Sequence, residues 1–376
     1  MKIVIDDKIL FVKGVLDSLA DVTYLPGASI GPVDVKDADG LIVRTRTKVN
    51  RELLEGSNVK AVVSATIGTD HMDIPWLEEN NIAWANAPGC NSGSVKQYIA
   101  SVFAALEMNY FPLRGKTLGI IGVGNVGSKV VAVGKAFGMK VLLNDPPRKE
   151  KEPDFPNVDL NVLLQLSDVV TFHVPLTREG KYPTYHLLND TTLLMMKRGS
   201  VLINSSRGEV VNERVLMKGL SSGLIERGVL DVWENEPEIS LELQRRLMIG
   251  TPHIAGYAVD GKANGSAAAI RFMSRQFHLG LDEWYPENLP VPGDMTVSID
   301  DGDERLNLRI AKAVAATYDV TEDSRRLTEN PEKFEELRGN YPVRREFPVW
   351  TVKIPKGDDD LKYALELLGF MVAERE

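Results

Sequence analysis

The chain has 376 residues, 43% of them hydrophobic, and a formal net charge of -9. That length suits two or three domains with separate cores, and the acidic balance argues against a nucleic-acid surface and for small-molecule partners. The single cysteine, Cys90, closes no intramolecular disulfide; no apolar run reaches the length of a membrane span, and the strand-like opening carries no signal-peptide pattern, so a cytoplasmic location is expected.

From the start, strand-like runs alternate with helical stretches. Residues 3–5, 40–43, 61–65 and 82–85 read as strands of a small parallel α/β unit. Each run ends in polar groups: Asp6-Asp7, Arg44-Thr45-Arg46-Thr47-Lys48, Thr66-Ile67-Gly68-Thr69-Asp70 and Asn86-Ala87-Pro88-Gly89-Cys90-Asn91. Open α/β sheets bind ligands at such carboxyl ends. A long helix over 95–108 then leads out of this first domain, whose boundary is expected near residue 92.

Next comes the strongest motif. The apolar run Leu118, Ile120, Ile121 reads as a central parallel strand, and Gly122-Val123-Gly124-Asn125-Val126-Gly127 matches the G-x-G-x-x-G dinucleotide fingerprint. The first glycine permits a tight turn, the second lets backbone approach a pyrophosphate, and the third lets the next helix pack on its strand. A helix over 126–137 and a strand over 140–144 follow, ending in Asp145 about twenty residues beyond the glycines, where a ribose-binding carboxylate belongs. Its charge disfavours the extra phosphate of NADP, so NAD is the expected cofactor, with Arg148 as a nearby cation that would soften the preference.

The alternation continues through strands at 169–172, 200–204 and 228–232. They stop at His173-Val174, at Ser205-Ser206-Arg207-Gly208 and at Trp233-Glu234-Asn235-Glu236-Pro237, with Thr251-Pro252-His253-Ile254-Ala255-Gly256 later. In a doubly wound sheet these ends converge on the cofactor crevice, which makes Val174, Ser205, Ser206, Arg207, Asp231 and Gly256 candidate neighbours of NAD. A helix over 266–279 is expected to pack back on the first domain. Around residues 286–303 the pattern breaks at Pro286, Pro290, Pro292, Gly293 and an acidic run, and an α+β sequence follows, with a helix from 304 to 317, a strand at 348–354 and a helix over 358–368. Lys356-Gly357-Asp358-Asp359-Asp360 reads as a charged turn, not as a metal site.

Oxidising a 2-hydroxy acid with NAD requires a base for the hydroxyl proton, a cation for the carboxylate and a group that tunes the base. His253, Arg207 and Glu236 supply those types: a histidine titrates near neutrality, a neighbouring carboxylate stabilises its imidazolium, and a guanidinium matches a carboxylate fork. No metal is needed, because Arg207 provides the electrophilic charge. His71, His173, His186 and His278 are read as structural, and Cys90 as a small residue at a strand edge.

The segments Gly122 to Gly127, Asn204-Ser205-Ser206-Arg207-Gly208, Asp231-Val232-Trp233-Glu234-Asn235-Glu236-Pro237 and Thr251-Pro252-His253-Ile254-Ala255-Gly256 resemble those of the D-isomer-specific 2-hydroxyacid dehydrogenases. The resemblance implies Arg207, Glu236 and His253 as the catalytic set. It also implies a Rossmann-type nucleotide domain over 93–256, a flavodoxin-like substrate lid over 1–92 completed by about 257–285, and a C-terminal domain over 286–376 that builds a homodimer. Substrate contacts from Thr45, Thr66 and Tyr257 follow from the same resemblance. One carboxylate needs one cation, yet Arg44, Arg46 and Lys48 crowd one strand end; interleaved with hydroxyls, they suit a phosphate, so a phosphorylated 2-hydroxy acid is expected. Another enzyme of the family, such as one acting on 3-phosphoglycerate, and an NAD-sensing binding module of the same fold remain as alternatives.

Overall fold

The computed structural model describes residues 1–300 and 305–375. The chain divides into two compact units, Met1–Asn91 with Tyr257–Pro290 and Ser92–Gly256 with Val291–Glu376. The expected helix start at Glu304 and most of the acidic run lie outside the described residues.

In the first unit, β1 (Lys2–Asp6), β2 (Asp21–Leu25), β3 (Gly40–Val43), β4 (Ala61–Ser64) and β5 (Ala83–Ala85) form a wholly parallel sheet in the order β2-β1-β3-β4-β5. That is the flavodoxin-like order. β3 and β4 are buried along their whole length, as parallel strands covered on both faces must be. β2 escaped the sequence reading because its Asp-Val-Thr-Tyr-Leu sequence is an edge strand without a continuous apolar run. The helix Val259–Phe277 returns to this unit, and its Ala269, Ile270 and Met273 share a core with Ile3, Ile5, Ile42 and Val63.

In the second unit, β6 (Thr117–Ile121), β7 (Lys140–Asn144), β8 (Val169–Phe172), β9 (Ser200–Asn204), β10 (Ile225–Leu230) and β11 (Ile249–Gly250) form another parallel sheet, ordered β11-β10-β9-β8-β6-β7. Sequence direction reverses at β6, which marks the ligand crevice of a doubly wound sheet. The strands end in register: Ile121 pairs with Asn144 and Phe172, Phe172 with Asn204, Asn204 with Leu230, and Leu230 with Gly250. Asp145, Gly122, His173, Ser205, Asp231 and Thr251 therefore stand in one row along the carboxyl edge.

Residues after Pro290 add β12 (Thr296–Ser298), β13 (Thr351–Pro355) and β14 (Met371–Arg375), a small parallel sheet, together with the helices Leu306–Thr317, Val320–Glu329 and Asp359–Leu368. Their grouping with the nucleotide-type sheet has a local cause. The helix Ser92–Met108 carries buried Ser94, Gln97 and Ser101 at the spacing of one helix face, and a buried Glu107 in its last turn. Ser101 Oγ donates to the Tyr318 carbonyl and accepts from the Val320 N–H, and Asn307 donates to Glu107 and to the Phe137 carbonyl. Buried polar groups need partners, and the C-terminal residues provide them.

Candidate active site

The three glycines of the fingerprint do three different things. Gly122 has φ +83°, and a Cβ there would lie 2.5 Å from the His173 carbonyl oxygen. A Cβ on Gly127 would lie 2.0 Å from the Gly122 oxygen, so the helix Asn125–Ala136 starts hard against its strand. A Cβ on Gly124 would meet nothing within 4 Å. That open face, followed by the N–H groups of Asn125 and Val126 in the first turn, which have no intrahelical acceptor, is the approach an anion needs.

Asp145 sits beside this turn, accepting from Val123 N at 2.8 Å and Arg148 N at 3.0 Å. The Arg148 guanidinium donates to the Val123 carbonyl at 2.8 Å and pairs with Glu152 at 2.9 Å, so its charge is already engaged next to the carboxylate. On the next strand, burial pushes His173 down to about 3, which keeps it neutral at physiological pH, and its Nε2 lies 3.0 Å from Thr171 Oγ1. Val174 follows it in the chain. The buried Ser205 Oγ has no hydrogen-bond partner among the described residues. An open glycine, a carboxylate at the neighbouring strand end and an orphaned buried hydroxyl together fit a bound dinucleotide.

Arg207 is presented by a turn that Asn204 organises. Asn204 Oδ1 accepts from Ser206 N at 3.1 Å and Ser206 Oγ at 2.8 Å, while its Nδ2 donates to the Arg207 carbonyl at 2.8 Å. Arg207 Nη1 donates to the Ser206 carbonyl at 2.8 Å. Gly208 cannot be larger, since a Cβ would lie 1.9 Å from the Trp233 carbonyl oxygen. Asn204 was not singled out from sequence, although an Asn ending a buried strand ahead of Ser-Ser-Arg-Gly is an Asx-turn signal.

His253 and Glu236 come together directly. His253 Nδ1 lies 2.7 Å from Glu236 Oε2, while Glu236 Oε1 accepts from Trp233 N at 3.0 Å. An ionised carboxylate only accepts, so Nδ1 carries a hydrogen, and in the neutral imidazole Nε2 is then the nitrogen with the lone pair. Burial raises the Glu236 carboxyl, but the His253 hydrogen bond and charge, the Trp233 N–H and Arg338 outweigh it and hold the group below the usual carboxylate range. His253 itself has φ +57°, left-handed backbone that a residue with a side chain rarely adopts.

Asp231 enforces that conformation. It is 1% exposed; its carbonyl accepts from His253 N at 2.8 Å, and its carboxylate accepts from Thr251 Oγ1 at 2.7 Å, Ile254 N at 2.8 Å and Ala255 N at 2.9 Å. The Tyr98 hydroxyl, 2.8 Å from Thr251 Oγ1, extends the chain of bonds, and Gly256 closes the loop. Burial raises the Asp231 carboxyl despite these donors and the His253 charge. Thr251 belongs to the motif that carries His253, but its bond to Tyr98 joins residues 153 apart in the chain, and neither type signals the pairing.

In the first unit, Arg44 grips the fully buried Asp6 through Nε and Nη2 at 3.1 and 3.2 Å. Thr45, Arg46 and Lys48 after β3 are exposed, whereas Thr47 is buried and donates to the Gly27 carbonyl at 2.8 Å. Thr66, just after the neighbouring β4, shares a 2.8 Å hydrogen bond with Ser64. Lys262 Nζ lies 4.7 Å above the Tyr257 ring. In sequence Arg44 and Asp6 are only charges at two strand ends 38 residues apart, and their pairing follows from the adjacency of β1 and β3.

A family model described as D-isomer specific 2-hydroxyacid dehydrogenase, NAD binding domain, matches residues 94–255, and one described as a domain of unknown function matches residues 290–369. Erythronate-4-phosphate dehydrogenase of Bacteroides thetaiotaomicron is 47% identical over 358 residues, spanning 94% of this chain and 99% of the relative. The protein of the same name from Proteus mirabilis is 41% identical, over 92% of this chain and 93% of its own. Among solved structures, the D-lactate dehydrogenase of Aquifex aeolicus, complexed with NAD and lactic acid, matches with a TM-score of 0.62 at 24% identity over 75% of this chain and 97% of that one, which bears on the fold alone. The matched NAD-binding domain, which spans the glycine turn, and the relatives over nearly the whole chain make this an NAD-dependent dehydrogenase. The chain belongs to the D-isomer specific 2-hydroxyacid dehydrogenase family, alongside the relatives named erythronate-4-phosphate dehydrogenase.

Proposed function

We propose that this chain oxidises 4-phospho-D-erythronate at C2 to the corresponding 2-oxo acid, a step of pyridoxal 5'-phosphate biosynthesis. The observation that carries the chemistry is the 2.7 Å His253–Glu236 pair on a loop fixed by Asp231 at the carboxyl edge of a glycine-fingerprint sheet. Gly122, Gly124, Asn125, Val126, Gly127 and Asp145 would hold NAD, with Val174, Ser205, Ser206, Asp231 and Gly256 along its border, and the bound cofactor would provide a hydride acceptor. His253 Nε2 takes the C2 hydroxyl proton as the hydride leaves, and Glu236 stabilises the imidazolium so formed. Arg207 binds the substrate carboxylate and polarises the nascent carbonyl.

The phosphate falls to Arg44, Arg46, Thr45 and Thr66, with Tyr257 as a further substrate contact. Their unit, residues 1–92 completed by about 257–285, acts as a substrate lid, and the protein works in the cytoplasm. The tail over 286–376 assembles a homodimer, a reading supported by the exposed Tyr363 and Met371 at 64% and 51% accessibility. Initial rates of NADH formation with 4-phospho-D-erythronate, 3-phosphoglycerate and D-lactate side by side test the substrate. A clear preference for 4-phospho-D-erythronate is expected; equal use of the two phosphorylated acids, or preference for lactate, overturns the substrate while leaving a dehydrogenase.

A further inference from the structure

The loop that carries His253 is held from two sides. Asp231 takes the N–H groups of Ile254 and Ala255, and the carbonyls of the same two residues are taken by Arg344, whose Nη2 donates to Ala255 O at 2.6 Å and Ile254 O at 3.3 Å. Two peptide units thus lie between a buried carboxylate and a buried guanidinium. At the start of the loop, Gly250 N donates to Ser324 Oγ at 3.0 Å. Ser324 and Arg344 both belong to the C-terminal region, which carries none of the nucleotide or catalytic motifs.

Arg344 is itself fixed in place. It is 4% exposed, lies over the rings of Tyr318 and Tyr341 at 4.4 and 5.4 Å, and donates through Nη1 to the Tyr341 hydroxyl at 3.2 Å. Both tyrosine hydroxyls donate to Asp323 Oδ2, at 2.9 and 2.6 Å. The next two residues anchor the strap to the helix Ser92–Met108: the Arg345 carbonyl accepts from Gln97 Nε2 at 2.8 Å and Glu346 Oε1 accepts from Ser94 Oγ at 2.7 Å. A strained backbone such as that of His253 persists only where its surroundings over-determine it, and a buried guanidinium whose Nη2 reaches both carbonyls while Nη1 is held by the Tyr341 hydroxyl adds such a constraint.

We propose that Arg344 is a positioning residue for the acid/base step: acting through the carbonyls of Ile254 and Ala255, it keeps His253 in register with Glu236. The inference rests on the reading of His253 as the acid/base. The C-terminal region then completes the active site of its own chain. A geometric error of about 1 Å remote from the chemistry costs on the order of a hundredfold in rate, so loss of this clamp is expected to lower kcat by about tenfold to a hundredfold.

The test is a double-mutant cycle on the full-length enzyme. Arg344→Leu and Arg344→Lys are made in the wild-type and His253→Ala backgrounds, and kcat and KM for 4-phospho-D-erythronate are measured with the Kd for NADH. The expected result is a fall in kcat with KM and Kd within about twofold, partial recovery in Arg344→Lys, and almost no further loss when His253 is already alanine. Unchanged kcat in the Arg344 variants, or a loss of equal size in the His253→Ala background, overturns the proposal. If Arg344→Leu does not fold, Arg344→Lys is judged by the same two outcomes. Full turnover by His253→Ala alone would sink the acid/base reading, whereas a slow His253→Ala beside normal Arg344 variants sinks only the positioning role.

Discussion

Replacing Glu236 with glutamine changes one atom and asks the most of the site. The carboxylate accepts two hydrogen bonds on different oxygens, from Trp233 N and from His253 Nδ1. Glutamine offers one oxygen and one NH2. If the oxygen stays on Trp233 N, the NH2 faces Nδ1, which must then accept; the imidazole proton moves to Nε2, and the lone pair needed for the substrate proton is lost. A charge-assisted hydrogen bond is worth about 1.5–3 kcal/mol, or roughly tenfold to a hundredfold in rate, and the wrong tautomer adds to that, so turnover is expected to fall by about a hundredfold to ten-thousandfold. Steady-state oxidation kinetics beside a fluorescence titration with NADH separate chemistry from cofactor binding, which should stay unchanged. Turnover within about threefold of wild type would refute the pairing as the source of the base. The same variant carries a sign in stability. A carboxylate lowered on folding contributes stability that is full above its unfolded value, about 4.3, and lost as pH falls through the lower folded value. Wild type should therefore be the more stable near neutrality, with the gap closing only below about pH 4 in denaturant titrations.

Gly124→Ala should fold with little change in Tm yet bind NADH at least about tenfold more weakly, whereas Gly127→Ala, driving a Cβ into the Gly122 carbonyl, should lower Tm sharply; calorimetry and NADH titration distinguish the two, and equal behaviour would contradict the separate roles. Arg44→Lys with Asp6→Asn avoids stranding a buried carboxylate, and should raise KM for the phosphorylated acid far more than for an unphosphorylated 2-hydroxy acid in parallel assays. Light scattering of the full chain at micromolar concentration should give a dimer, and a monomer would remove the assembly role of the tail.

The nucleotide sheet was legible because its signals are local. Leu118, Ile120 and Ile121 announce a buried strand, the three glycines a turn, and Asp145 stands at the right separation. His253, Glu236 and Arg207 were legible as residue types at strand ends. What the sequence concealed is held together over long separations: Asp6 against Arg44, Tyr98 against Thr251, and Arg344 against the carbonyls of Ile254 and Ala255. Edge strand β2 was missed because half of it faces solvent and carries no apolar run. The tail's place on the nucleotide unit was hidden in Ser94, Gln97 and Ser101, whose spacing marks a polar face but not the partner that buries it, and in Glu107, a lone acid at the helix end.

If hydride passes directly from C2 of a phosphorylated 2-hydroxy acid while His253 takes the hydroxyl proton, a label at C2 and the rate of its transfer report both events. Wild type and His253→Ala are each given NAD and 4-phospho-D-erythronate deuterated at C2, and the reduced cofactor is examined by mass spectrometry. Direct transfer with His253 as the base requires one deuterium in the NADH from wild type, and the same labelled product at a rate about a hundredfold to ten-thousandfold lower from His253→Ala. Unlabelled NADH with deuterium released to water, or a His253→Ala rate equal to wild type, would contradict it.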